Sequence, residues 1–196
     1  VNKHIMIKDL EHYVYLEKNF LSDEICDETI KQLKKNKEWL KHNFYFPKLD
    51  KSKPISNEKE LSVSYYTDGV TTRDIIMDRM WYSIERYFNK YSFSWHNGWV
   101  GYLPIRFNKY NKNTLMAEHC DHIQDMFDGE RKGVPVLSIV GTLNDNYKGG
   151  EFIMFQDKKI NLEKGDLLIF PSNFLYPHKV NEITKGIRYS YVSWTW

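Results

Sequence analysis

The chain has 196 residues, enough for one domain with a sizeable core, and its 28 basic and 26 acidic residues leave a formal charge of +2, without the one-signed bias of a nucleic-acid-binding surface. Two cysteines, Cys26 and Cys120, are too few for a disulfide framework and suit a reducing compartment. No apolar run approaches the ~20 residues that cross a bilayer, and the start lacks a signal-peptide core, so the expectation is a cytoplasmic protein that contacts no membrane.

In chain order, "HYVYLEKNF" alternates and reads as a first strand. "LSDEICDETIKQLKKNKEWL" reads as a helix. Ser22 is placed to cap it, Asp23 and Glu24 favour its positive end, and Cys26, Ile30, Leu33 and Leu40 form a rough apolar stripe. Its lysines read as a solvated face. Residues 47–60 are polar and aperiodic, a loop that is either plainly exposed or a lid. "TTRDIIMDRMWYSIERYFNKY" predicts a helix capped by Thr71 or Thr72. Ile76, Met80, Ile84 and Phe88 fall on one face, widened by Met77 and Trp81.

From about Trp95 the segments become short, β-branched and aromatic, punctuated by "NG", "KGG", "KGD" and "KG". Many strands at short spacing predict a sandwich or barrel. We therefore read 1–196 as a single domain, with 1–93 a helical and strand support and 94–196 the β core that carries the site.

The stretch "LMAEHCDHIQD" crowds possible metal ligands into eleven residues. On a helix His119 would share a face with His122. On a strand Leu115, Ala117, His119, Asp121 and Ile123 share one face, and Met116, Glu118, Cys120, His122 and Gln124 share the other. The first face is apolar apart from its His–Asp pair, as in a half-buried strand. That pair needs a partner, because a lone buried carboxylate is costly. Either a metal or a simple His–Asp hydrogen bond satisfies it. Zinc held by His119, Cys120 and His122 is disfavoured, since a strand cannot aim all three at one point.

A non-haem iron site takes two imidazoles and one carboxylate. His4, His12, His42 and His96 lie upstream of the pair, whereas His178 follows the strong strand "GDLLIFP". Farther on, Arg188, Ser190, Val192 and Trp194 share a strand face. An arginine heading such a face requires an anion, either a protein acid or a ligand carboxylate, to which Ser190 would also donate.

The order His119-x-Asp121, His178, Arg188, Ser190 resembles that of the Fe(II)/2-oxoglutarate-dependent oxygenases, in their prolyl 4-hydroxylase-like branch. "VYLEKNFLSDEICDETIKQL", "TLNDNYKGGEF" and "INLEKGDLLIFPSNFLYPHKVNEITKGIRYSYVSW" extend the likeness over nearly the whole chain. The resemblance implies a mainly β fold with flanking helices: a double-stranded β-helix, or jelly-roll barrel, supported by N-terminal α-helices. It implies that His119, Asp121 and His178 form the catalytic metal site for Fe(II). Arg188 would bind the distal carboxylate of 2-oxoglutarate, with Tyr110 and Ser190 assisting. The implied reaction consumes O2, hydroxylates a C–H bond of a peptide or small molecule such as a peptidyl proline, and releases succinate and CO2, with ascorbate as reductant. Asn113, Met116 and Phe152 stand where the branch often has glycine, tyrosine, and threonine or leucine, so the likeness supports the reaction type more than proline as substrate. The alternative from another class is an inactive jelly-roll binding or structural module. Oligomeric state is not legible.

Overall fold

The short β-branched segments pair into two main antiparallel sheets with a small ribbon beside them. The computed structural model describes residues 9–42, 59–65, 68–91, 101–121 and 135–196. Its strands are β1 Tyr15–Glu17, β2 Leu40–Lys41, β3 Ser62–Ser64, β4 Arg106–Tyr110, β5 Met116–His119, β6 Leu137–Thr142, β7 Lys148–Gly149, β8 Phe152–Met154, β9 Lys158–Ile160, β10 Leu167–Pro171, β11 His178–Val180, β12 Ile183–Lys185 and β13 Arg188–Thr195. The large sheet runs β1-β10-β6-β13-β4-β3-β2, the small sheet β5-β11-β8-β9, and the ribbon β12-β7. Two sheets sharing an inner core make the expected jelly roll.

Both faces of the large sheet are covered, so its central strands are buried throughout rather than alternating with solvent. On one side Ile139, Ile169, Tyr189 and Tyr191 meet the helices; on the other Val140, Leu168, Phe170 and Val192 meet the small sheet. The period of two thus sorts β13 as expected, with Arg188, Ser190, Val192 and Trp194 turned toward the small sheet.

Helix α1 spans Asp23–Leu33 and α2 spans Thr72–Tyr91. Ser22 stands at the N-cap in extended conformation, but its hydroxyl makes no capping bond. The helix expected to reach Leu40 ends at Leu33. Asn36 turns the chain, its Oδ1 accepting from the Glu38 amide (2.9 Å) while its Nδ2 donates to Ser64 Oγ (2.8 Å). Leu40 instead enters β2, exposed. In α2, Ile76, Met80 and Ile84 are fully buried as expected, each worth about 1.5–3 kcal/mol. The face is widened by Tyr87 rather than by Trp81, which is exposed.

Strand β3 was not evident in the sequence. It adds to the edge of β4 and draws Glu60 and Leu61 into the interior. Most of the 47–60 loop lies outside the described residues, but Glu60, its last residue, is fully buried rather than exposed. Among the described residues no helix is long and apolar enough to cross a membrane.

Candidate metal centre

Strand β5 carries the His-x-Asp pair, and a bulge sets its phase. Pairing with β11 joins His178 to His119 and Val180 to Met116, so three steps on β5 oppose two on β11. The extra residue turns Met116 inward along with His119. Strict alternation placed Met116 on the outer face; it is instead buried in the inner core beside Val180 and Phe152. Just before β5, Asn113 adopts a left-handed turn (φ 64). Asparagine is among the few non-glycine residues that tolerate that conformation.

His119 and His178 face each other across this strand pair, their ring centroids 4.3 Å apart. Asp121 Oδ1 lies 3.3 Å from His119 Nε2 and 3.8 Å from His178 Nε2. Each imidazole is oriented from behind: His119 Nδ1 donates to the Ala117 carbonyl (2.8 Å) and His178 Nδ1 to the Tyr176 carbonyl (3.1 Å). A proton fixed on Nδ1 leaves Nε2 as an unprotonated lone pair aimed at the common centre. Phe152 stacks on His178 at 5.5 Å, and Phe170 meets it edge-on at 5.0 Å.

Burial pushes the His178 pKa down to about 4, against the pull of Asp121, so its ring is neutral at physiological pH. Burial pushes the Asp121 carboxyl up, but the facing His178 ring, and after it His119, outweigh burial and hold the carboxyl below its usual range. At neutral pH, where His178 carries no charge, the bond from Trp194 Nε1 to Asp121 Oδ2 (2.9 Å) helps keep it ionised. Two imidazole nitrogens and one carboxylate oxygen, all within 4.8 Å of one another, fit a divalent metal that prefers mixed nitrogen and oxygen donors. Among the described residues no other side chain joins this group.

The family model described as "2OG-Fe(II) oxygenase superfamily" matches residues 105–196, which hold all three of these residues. Residues 105–196 are thus similar to the 2OG-Fe(II) oxygenase superfamily. A PKHD-type hydroxylase of Delftia acidovorans is 34% identical over 101 residues, covering 47% of this chain and 43% of the relative. The PKHD-type hydroxylase PiuC of Pseudomonas aeruginosa is 33% identical over 100 residues, with the same coverage. The chain thus matches less than half the length of these curated relatives. A Pseudomonas putida prolyl-4-hydroxylase structure superposes with TM-score 0.68 over 98% of this chain and 97% of that one, at 17% identity. A Trichoplax adhaerens prolyl hydroxylase, solved with a peptide fragment, superposes with TM-score 0.69 over 99% and 88%, at 16% identity. The fold is therefore that of the prolyl hydroxylases.

In this fold, Arg188 opens on the same pocket as His119, Asp121 and His178. It is 1% exposed, and among the described residues no carboxylate lies within 4.0 Å of it. The protein-acid partner left open by the sequence is therefore not found. Arg188 Nε donates to the Tyr147 hydroxyl (3.2 Å) and Nη1 to Ser190 Oγ (3.1 Å). Its guanidinium lies 4.9 Å above the Tyr110 ring, directly across the β4–β13 pair. Burial pushes the Tyr110 phenol up, while Arg188 pulls it down.

The Gly-Gly of "KGGEF" makes room beside this arginine. Both glycines have positive φ (74 and 68). A Cβ on Gly149 would sit 2.2 Å from the Glu182 carbonyl, and one on Gly150 would sit 2.3 Å from Ile183 Cδ1 and 3.4 Å from Arg188 Cδ.

Glu60 was not singled out from the sequence. Its Oε1 accepts from the Ala117 amide (3.1 Å), holding the bulged strand β5, and its Oε2 faces His42 Nδ1 at 3.3 Å. A lone glutamate at the end of a polar stretch carries no local signal of burial. Cys120 points its thiol at the Phe174 carbonyl and takes no part in the triad. His12 packs against Tyr13 and Tyr91. His4, His96, His122 and Asp125 lie outside the described residues.

Proposed function

We propose that the protein is a non-haem Fe(II)- and 2-oxoglutarate-dependent dioxygenase that hydroxylates a substrate C–H bond. The observation that carries this is one pocket holding two aimed Nε2 atoms, a carboxylate, and a buried arginine with no protein acid among the described residues. His119 and His178 through Nε2, and Asp121 through a carboxylate oxygen, would hold Fe(II). When bound, Fe(II) and 2-oxoglutarate supply the oxidative decarboxylation that uses O2, yields succinate and CO2, and places a hydroxyl on the substrate, with ascorbate as external reductant.

The chain's own residues orient and exclude. Arg188, pinned by Tyr147, Ser190 and Tyr110, presents its fork to the distal carboxylate of 2-oxoglutarate. Tyr110 supplies a neutral hydroxyl at that end. Phe152, Phe170 and Val192 keep water from the centre, which strengthens every charge interaction inside. The solved neighbours act as prolyl hydroxylases by name, so a peptide substrate carrying proline is one class that this fold serves.

The test measures succinate formed from 2-oxoglutarate with Fe(II) and ascorbate. Wild type should turn over, and His178→Ala should lose about 100-fold or more, because it removes a metal ligand. Equal turnover in the two proteins sinks the proposal. A protein that binds neither metal nor 2-oxoglutarate fits the inactive jelly-roll alternative instead.

A further inference from the structure

A second arginine opens onto the same pocket with its charge unmatched. Arg106, on β4, is 7% exposed and lines the cavity together with His119 and Asp121. Its Nε donates to Asn108 Oδ1 (3.1 Å), and its guanidinium lies 5.2 Å over the ring of Trp194. Its terminal nitrogens make no hydrogen bond among the described residues, and no carboxylate there lies within 4.0 Å. The nearby buried acid Glu60 makes its hydrogen bonds to the Ala117 amide and His42 and forms no ion pair with Arg106.

Position separates the roles of the two arginines. On the β4–β13 ladder Tyr110 pairs with Arg188, whereas Arg106 pairs with Val192. At a strand rise of ~3.3 Å, these two levels stand roughly 13 Å apart along the sheet. Arg106 therefore marks the end of the pocket away from Arg188. It stacks there on the indole that donates to Asp121. With the cofactors of the proposed reaction in place, Asp121 and the C1 carboxylate of 2-oxoglutarate balance a divalent metal, and the distal carboxylate balances Arg188. Arg106 is left as a buried cation with no acid bonded to it among the described residues, which is costly.

We propose that Arg106 receives a carboxylate of the substrate itself, so that the enzyme acts on a carboxylate-bearing molecule rather than on an uncharged residue such as peptidyl proline. This rests on the oxygenase reading above. The planar fork gives two-point binding, and stacking on Trp194 fixes its plane, so the carboxylate would hold the neighbouring carbons beside the metal ligands.

The experiment loads the protein with Mn(II) in place of Fe(II) and with excess 2-oxoglutarate, then measures proton relaxation of small probes by NMR. Mn(II) uptake, read from water protons before any probe is added, reports on the oxygenase reading alone, with His178→Ala as the control that should lose it. The probes are pairs: acetate and acetamide, alanine and alaninamide, and the α-amides of N-acetylaspartate and N-acetylasparagine. In wild type the acid of a pair should saturate at about tenfold lower concentration than its amide. The second and third pairs separate a free amino acid's carboxylate from that of an acidic side chain in a peptide. Arg106→Gln should bring acid and amide within about twofold of each other, and Arg106→Lys should keep part of the preference. The proposal is overturned by equal acid and amide binding in wild type, or by an unchanged preference in Arg106→Gln. It is also overturned if wild type shows no acid preference and Arg106→Gln weakens 2-oxoglutarate about tenfold, which would assign this arginine to the co-substrate. A wild type that takes up no Mn(II) overturns both readings.

Discussion

A buried guanidinium persists only where something supplies its counter-charge, and Arg188 shows how closely that requirement specifies a ligand. Its stem is sealed, its Nε and Nη1 are held by Tyr147 and Ser190, and its face is covered by Tyr110. Lysine cannot reproduce a fork held in one plane. Arg188→Lys should raise the KM for 2-oxoglutarate by about tenfold or more in the succinate assay, with a smaller change in kcat. His42 offers a pH signature. Burial pushes its pKa down more than Glu60 raises it, so the folded protein resists protonating it. Below about pH 6.5 the unfolded chain binds a proton that the folded chain does not, and the stability from this residue falls as pH drops. Urea unfolding between pH 7 and pH 5 should show wild type losing more stability than His42→Asn.

Elements add what single residues cannot show. Strand β5 gains its geometry from a bulge against β11, and Glu60, from a different strand neighbourhood, anchors it at Ala117. Period-two reading of "LMAEHCDHIQD" correctly paired His119 with Asp121, because both lie on the same side of the bulge. It misplaced Met116, which lies beyond it; a bulge is set by the partner strand and leaves no mark in local composition. The turn between β7 and β8 is legible for the opposite reason. Two successive glycines announce left-handed backbone, and both glycines have it. Gly149→Ala meets the Glu182 carbonyl as well as the conformational penalty, so it should cost about 2 kcal/mol and lower Tm by about 4–8 °C in a thermal melt.

At the scale of the molecule, one large sheet serves two masters: helices on one face, the candidate metal pocket on the other. Tyr191 sits where this matters, fully buried on the helix side, with its ring against Gly141 and its hydroxyl making no hydrogen bond among the described residues. Burial pushes that phenol far up, as expected of a hydroxyl sealed in the core. Tyr191→Phe removes the unsatisfied group and keeps the ring, so it should raise Tm by about 2–4 °C, corresponding to ~1 kcal/mol, without altering 2-oxoglutarate turnover. The sequence by itself determined the two long helical segments, the strand-rich second half, the turn glycines, and a triad with its downstream arginine. The first three follow from local periodicity and backbone preference, carried by neighbouring residues, and the last from the resemblance of the residue order to a known family. Only the tertiary structure decided where α1 stops, that Met116 and Glu60 turn inward, and that Arg106 reaches the pocket without a protein acid among the described residues. Each of those depends on what a distant strand places opposite, and burial of a charge is decided by its surroundings rather than by its neighbours in the chain.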